Sequence, residues 1–158
     1  MVDLMNLEEQ VDREFTAARR RARMRWLRAK LRGKLGLRTL LSFEEQRRSS
    51  RAYGGIFRGR ATVEISRIVG SAGKHDYFDE CFMPLRSLSS ERWKRIDRAF
   101  RRGQELPPVA LYKLGGLYFV QDGHHRVSVA RFHGAEWIDA EVTEFNLPTH
   151  RSNPPGLR

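Results

Sequence analysis

The chain of 158 residues contains one cysteine, Cys81. An intrachain disulfide is therefore impossible and a cysteine metal cluster is excluded, so a reducing compartment is the natural setting. Nowhere do about 18 apolar residues run together, and the N-terminus lacks the basic-then-apolar layout of a secretory signal. The expectation is a soluble protein of the cytoplasm. Acidic residues are scarce beside basic ones: 19 Asp+Glu face 30 Lys+Arg, for a formal net charge of +11. The imbalance is local, because residues 1–60 hold 16 Lys+Arg against 7 Asp+Glu while residues 61–158 hold 14 against 12. A basic third beside a nearly neutral remainder points to nucleic acid, an anionic lipid surface or an acidic partner for the N-terminal part. Nothing repeats internally, and a hydrophobic content of 40% is enough for one domain core.

Apolar residues recur at Leu4, Leu7, Val11, Phe15, Ala18, Ala22, Trp26 and Ala29, in steps of three or four. That spacing predicts one long amphipathic helix from Asp3 to about Leu31, ended by Gly33 and Gly36. Arg19, Arg20, Arg21, Arg23, Arg25 and Arg28 stand on its other faces and are the candidate nucleic-acid contacts. A docked helix with these arginines in solvent, or one on an anionic membrane, is compatible with the same pattern. Between Arg38 and Arg60, glycines, serines and arginines mix without a period, which reads as a short helix near Ser42 followed by a linker.

After Gly59 strands and helices alternate. "ATVEISRIVG" reads as a strand ending in the turn "GSAGKHD", and Ser89 or Ser90 caps a helix that runs to Arg102, with Asp97 near its apolar face of Trp93, Ile96 and Phe100. Gly103 stops that helix. Two short strands flank Gly115-Gly116, a dipeptide of tight hairpins. A helix from His124 to Phe132, stopped at Gly134, precedes a last strand in "EWIDAEVTEF". The expected class is α+β (α/β): a small mixed sheet with packed helices at residues 61–146, a basic helical extension and linker at 1–60, and a tail at 147–158 rich in Pro and Asn.

The stretch "VQDGHHRVSVARFHG" concentrates the polar chemistry. Asp122 and Gly123 lie between a strand and a helix, whose first backbone amides lack intrahelical acceptors and form an anion site. Arg126 adds a guanidinium matched to phosphate, and His124 and His125 add donors that titrate near neutral pH. Asp122 serves equally as a plain N-cap. For a metal the ligands would be Asp122, His124 and His125 with His75 or His133, but adjacent helical histidines diverge by about 100° and the i, i+4 zinc spacing is absent, so no metal site is expected. Ser128 lacks the nucleophile-elbow glycines, and Cys81 has no basic neighbour in sequence, so both read as structural. Phosphoryl transfer would need a carboxylate, for which Glu64, Asp76, Asp79 and Asp122 are available.

From Val63 to Phe145, and most specifically over "LPPVALYKLGGLYFVQDGHHRVSVARFHGAEWIDAEV", the sequence resembles the ParB/sulfiredoxin-like superfamily. In ParB proteins the corresponding box is G-E-R-R, which Gly123 and Arg126 match while His124 and His125 replace Glu and Arg; in sulfiredoxin it is G-C-H-R, matched by Gly123, His125 and Arg126. His124 stands where the catalytic cysteine would be, so the resemblance does not imply sulfinic-acid reductase activity. Too few residues follow the last strand for ParB's helix-turn-helix domain, and site-specific partitioning is not expected. The resemblance implies a phosphate site formed by Gly123, His124, His125 and Arg126 that takes a nucleoside triphosphate, CTP or ATP, with Mg²⁺ as a companion. It also implies partners among nucleic acids or nucleoprotein complexes, leaves room for a homodimer, and is compatible with association with the nucleoid. Other members are nucleases or small-molecule kinases, so an enzyme (NTP hydrolase, phosphotransferase or nuclease) with Asp122, His124 or Glu64 as catalytic residue is the alternative to a binding module.

Overall fold

The structure, a computed structural model, describes residues 2–33, 39–74, 76–85 and 90–149, with Val2 and Asp3 as backbone only. It is a mixed α+β fold around one six-stranded sheet. In chain order the elements are α1 (Val2–Leu31), β1 (Leu41–Ser42), α2 (Phe43–Ser50), β2 (Tyr53–Glu64), a 3-10 turn (Ile65–Arg67), β3 (Ile68–Ser71), α3 (Ser90–Arg101), β4 (Val109–Leu114), β5 (Leu117–Asp122), α4 (His124–Phe132) and β6 (Trp137–Asn146). The strand order is β1-β3-β5-β4-β6-β2. Among the described residues no helix is long and apolar enough to cross a membrane. His75, Ser89, His150, Gly36 and the tail beyond Thr149 lie outside the described residues.

The period-two pattern of the strands sorts side chains onto two faces. Val109, Leu111 and Val120 face one side, where Ile68, Phe78, Phe82 and Val127 of α4 complete the main core. Leu114 and Phe119 point to the other side, where Phe43 and Ala52 from α2 and its end cover them. A third cluster joins the helices: Phe15, Ala18 and Ala22 of α1 meet Trp93 of α3 and Val129 of α4. The sequence-predicted stripe of α1 is thus buried from Val11 to Ala22, whereas Leu4 and Trp26 at its ends remain exposed. β4 and β5 form the expected hairpin, with Leu114 opposite Leu117 across Gly115-Gly116.

Two expectations need correction. The stretch read as a linker up to Arg60 is the first two thirds of β2, antiparallel to β6 along its whole length. Its glycines, which mimic a loop in sequence, sit at irregularities of the strand: the register shifts between Tyr53 and Ile56 and between Phe57 and Gly59, with Gly54 and Gly59 at φ +67° and +81°. Up to Thr62 this edge strand is exposed on both faces, so that part has no alternation of buried and exposed positions to read. "ATVEISRIVG" is also two strands rather than one. The 3-10 turn breaks it, so that β2 pairs with β6 while β3 runs parallel to β5 across the sheet.

Candidate functional site

β5 delivers the chain to the start of α4 beside β3, so the turn after β3 and the first turn of α4 are neighbours. The N-cap of α4 is Gly123 at φ +99°, with no side-chain cap; Asp122, read as a plain N-cap, does not serve that end. The cap position itself admits no side chain. A Cβ at 123 would lie 2.6 Å from Val109 Cγ1, so the strand-to-helix turn closes against β4 only where no side chain exists. Asp122 instead accepts from Arg126 Nη2 at 2.9 Å, one turn along. Arg126 Nη1 donates to the carbonyls of Pro107 and Pro108 at 2.6 and 2.9 Å. Its guanidinium therefore ties the entry of β4 to α4, and three of its bonds are already spent within the protein.

The two histidines differ in surroundings. His124 is buried, stacked on Phe78, with Nε2 hydrogen-bonded to Ser71 Oγ at 2.6 Å. Ser71 Oγ also accepts the Lys74 amide at 3.1 Å, so ring, hydroxyl and the post-β3 turn form one unit. Burial, reinforced by Lys74, pushes the His124 pKa down to about 4. His125 is half-buried, edge-on to Phe78 at 5.4 Å, and its Nε2 is enclosed without a hydrogen-bond partner among the described residues. Burial and then the charges of Arg92, Lys74 and Arg95 hold it near 4 as well. Both rings are neutral at pH 7, yet the surroundings are positive: the charges of the exposed Lys74, Arg92 and Arg95 act on His125, and the amides of α4's first turn carry partial positive charge. Ser71, Lys74, Arg92 and Arg95 were not among the residues singled out from sequence. The glycine-containing turn "GSAGKHD" after a strand was the available signal for Ser71 and Lys74; nothing in sequence places α3's arginines there.

Other candidates are dispersed. Three inter-strand steps of about 4.8 Å separate Glu64 on β2 from Asp122 on β5, and Glu64 lines a different cavity with Cys81, Arg131, Arg21 and Arg25, near the C-terminal end of α4. Cys81 thus has arginines around it in space although none adjoins it in sequence. Ser128 is buried and accepts Trp93 Nε1 at 2.9 Å, a packing role. Asp79 is buried under Arg25, whose Nε and Nη2 reach its Oδ2 at 2.8 and 2.5 Å, while its Oδ1 accepts the amides of Cys81 and Met83. Asp76 is exposed beside α1 and has interactions of its own. His133 stands apart from His124 and His125, with Nε2 2.6 Å from Asp97 Oδ1 and 3.9 Å from Glu14 Oε2; Glu14 is itself held by Arg101.

The arginines of α1 divide into two sets. Arg25 is engaged with Asp79, and Arg21 lies over the Phe132 ring at 4.5 Å while donating to the Phe132 carbonyl. Arg19, Arg20, Arg23 and Arg28 are exposed.

No family model and no curated protein matches this sequence. Among solved structures, sulfiredoxin from Arabidopsis thaliana is similar with 17% identity and a TM-score of 0.39, over 52% of this chain and 82% of that one.

Proposed function

We propose that the chain is a nucleotide-binding module of the ParB/sulfiredoxin-like kind, whose phosphate site is the first turn of α4 and whose exposed α1 arginines engage nucleic acid. One observation carries the reading: His125 in the first turn of α4, where backbone amides lack intrahelical acceptors, has an enclosed Nε2 without a partner among the described residues, and the exposed cations Lys74, Arg92 and Arg95 are near enough to hold its ring neutral. Polyphosphate is the ligand that such a set recognises, because it accepts from amides and imidazole and balances several charges at once. Within this reading Arg126 is a scaffold residue, and Lys74 and His125 are the ligand contacts.

The geometry favours binding over turnover. Asp122 is engaged by Arg126 and Glu64 is three strands away, so neither carboxylate stands uncommitted beside His124. The reading does not run through Mg²⁺. Thermal denaturation with CTP, ATP, GTP and ADP, with and without Mg²⁺, tests the proposal. A nucleotide at about a hundred times its Kd stabilises the fold by about 2.7 kcal/mol. The same panel on Lys74→Ala and His125→Gln is expected to show no shift.

A further inference from the structure

A groove of about 940 Å³ runs along one flank of α1, between that helix and the segment that carries Asp76, Pro84 and Leu85. Positions 15, 19, 23 and 26 share this flank by helical spacing, so the order along it is Phe15, Arg19, Arg23, Trp26, over about 16 Å of helix axis. Arg20 adds a third guanidinium to the rim, and Asp76 is the acid that lines it. The floor is apolar, built from Ala22, Pro84, Leu85 and the mostly buried Phe15. Trp26 is 38% exposed at the groove's end, with the Lys30 ammonium 5.1 Å from its ring.

Resting on the reading that α1 engages nucleic acid, we infer that this groove takes a single strand, DNA or RNA, rather than a duplex. Arginines on a convex helix suit the phosphates of either form. The discriminating feature is what lies between them: an apolar floor and an aromatic ring that can stack on an unpaired base. In a duplex the base faces are stacked on each other, and the floor and Trp26 would gain no partner. The exposed cations sit on the rim, where a backbone tracking the groove would place its phosphates, while the bases turn inward.

Anisotropy of short labelled oligodeoxythymidine, oligouridine and a duplex of equal length, titrated with the full chain at two salt concentrations, tests the inference. Both single strands are expected to bind at least about ten-fold more tightly than the duplex, and Trp26→Ala to weaken them roughly ten-fold with duplex binding unchanged. Trp26→Phe, which keeps a stacking ring, retains most of the affinity and controls for folding. Arg19→Ala with Arg23→Ala weakens every form and lowers the salt slope. Equal or tighter duplex binding, or no loss in Trp26→Ala, overturns the single-strand inference while leaving the α1 reading intact. Absence of binding to all three probes at low salt overturns both.

Discussion

Arg126 shows how residue type and residue role separate. Sequence places it in the first turn of a helix beside glycine and histidines, the position of a phosphate ligand, yet its guanidinium is occupied by two proline carbonyls and Asp122. Arg126→Ala is therefore expected to lower unfolding free energy by about 2 kcal/mol, from the loss of charge-assisted hydrogen bonds, measured in denaturant without ligand. Lys74→Ala, which removes an exposed ammonium, is expected to leave that value unchanged within about 0.5 kcal/mol. The histidines add a pH dependence. Folding holds His125 near a pKa of 4, below the ordinary value of 6.5, so the unfolded chain binds the proton first as pH falls. The stability from keeping the ring neutral is complete above pH 6.5 and is lost progressively down to pH 4. His124 acts in the same direction, whereas buried Asp97, raised to about 6, binds its proton in the folded state first and opposes them from pH 6 to 4. His125→Gln should recover roughly 2 kcal/mol at pH 4 relative to the wild-type decline, allowing for its partial exposure. An unchanged acid limb in that variant would show that the ring is not held neutral by the fold.

At the scale of elements, α1 is part of the folded unit and not an appended basic arm. Its Phe15 packs on Trp93 at 5.6 Å, its Glu14 is bound by Arg101 of α3, and its Arg25 closes over buried Asp79. Asp79→Ala would strand two backbone amides as well as Arg25, and is expected to cost more than 2 kcal/mol in chemical denaturation. Truncation of α1 would uncover Trp93 and Val129, so point variants at exposed Arg19 and Arg23 separate binding from stability where a deletion would not. The helical period of α1 was legible because its stripe is sustained and amphipathic. The N-terminal part of β2 was not, since its apolar residues Tyr53, Ile56 and Phe57 are exposed and set among glycines at strand irregularities, so they show no alternation. Gly123 was legible as a turn residue; that its position has no room for a side chain follows from the proximity of Val109 on β4, a contact that no local pattern encodes.

For the whole molecule, the class of fold and the junction of a strand with the helix that starts at His124 could be read along the chain, while the side chains that surround that junction could not. The histidines and the helix start are contiguous in sequence. Lys74 comes from the turn after β3, brought there by the pairing of β3 with β5, and Arg92 and Arg95 come from α3, which packs on α4 through Trp93. Conversely, Glu64 and Asp122 both end strands near polar residues, and only the order β5-β4-β6-β2 shows them to be on different parts of the protein. The charge of +11 likewise resolves into cations that hold the fold, such as Arg25, Arg126 and Arg131, and cations that remain exposed, such as Arg19, Arg23, Lys74 and Arg92. The most direct test of the central claim is calorimetric titration of the wild type and of Lys74→Ala and His125→Gln with CTP and ATP. Saturable binding of one nucleotide to the wild type, lost by ten-fold or more in both variants with their stability intact, is the predicted result. Absence of binding by the wild type, or equal affinity in all three proteins, would contradict it.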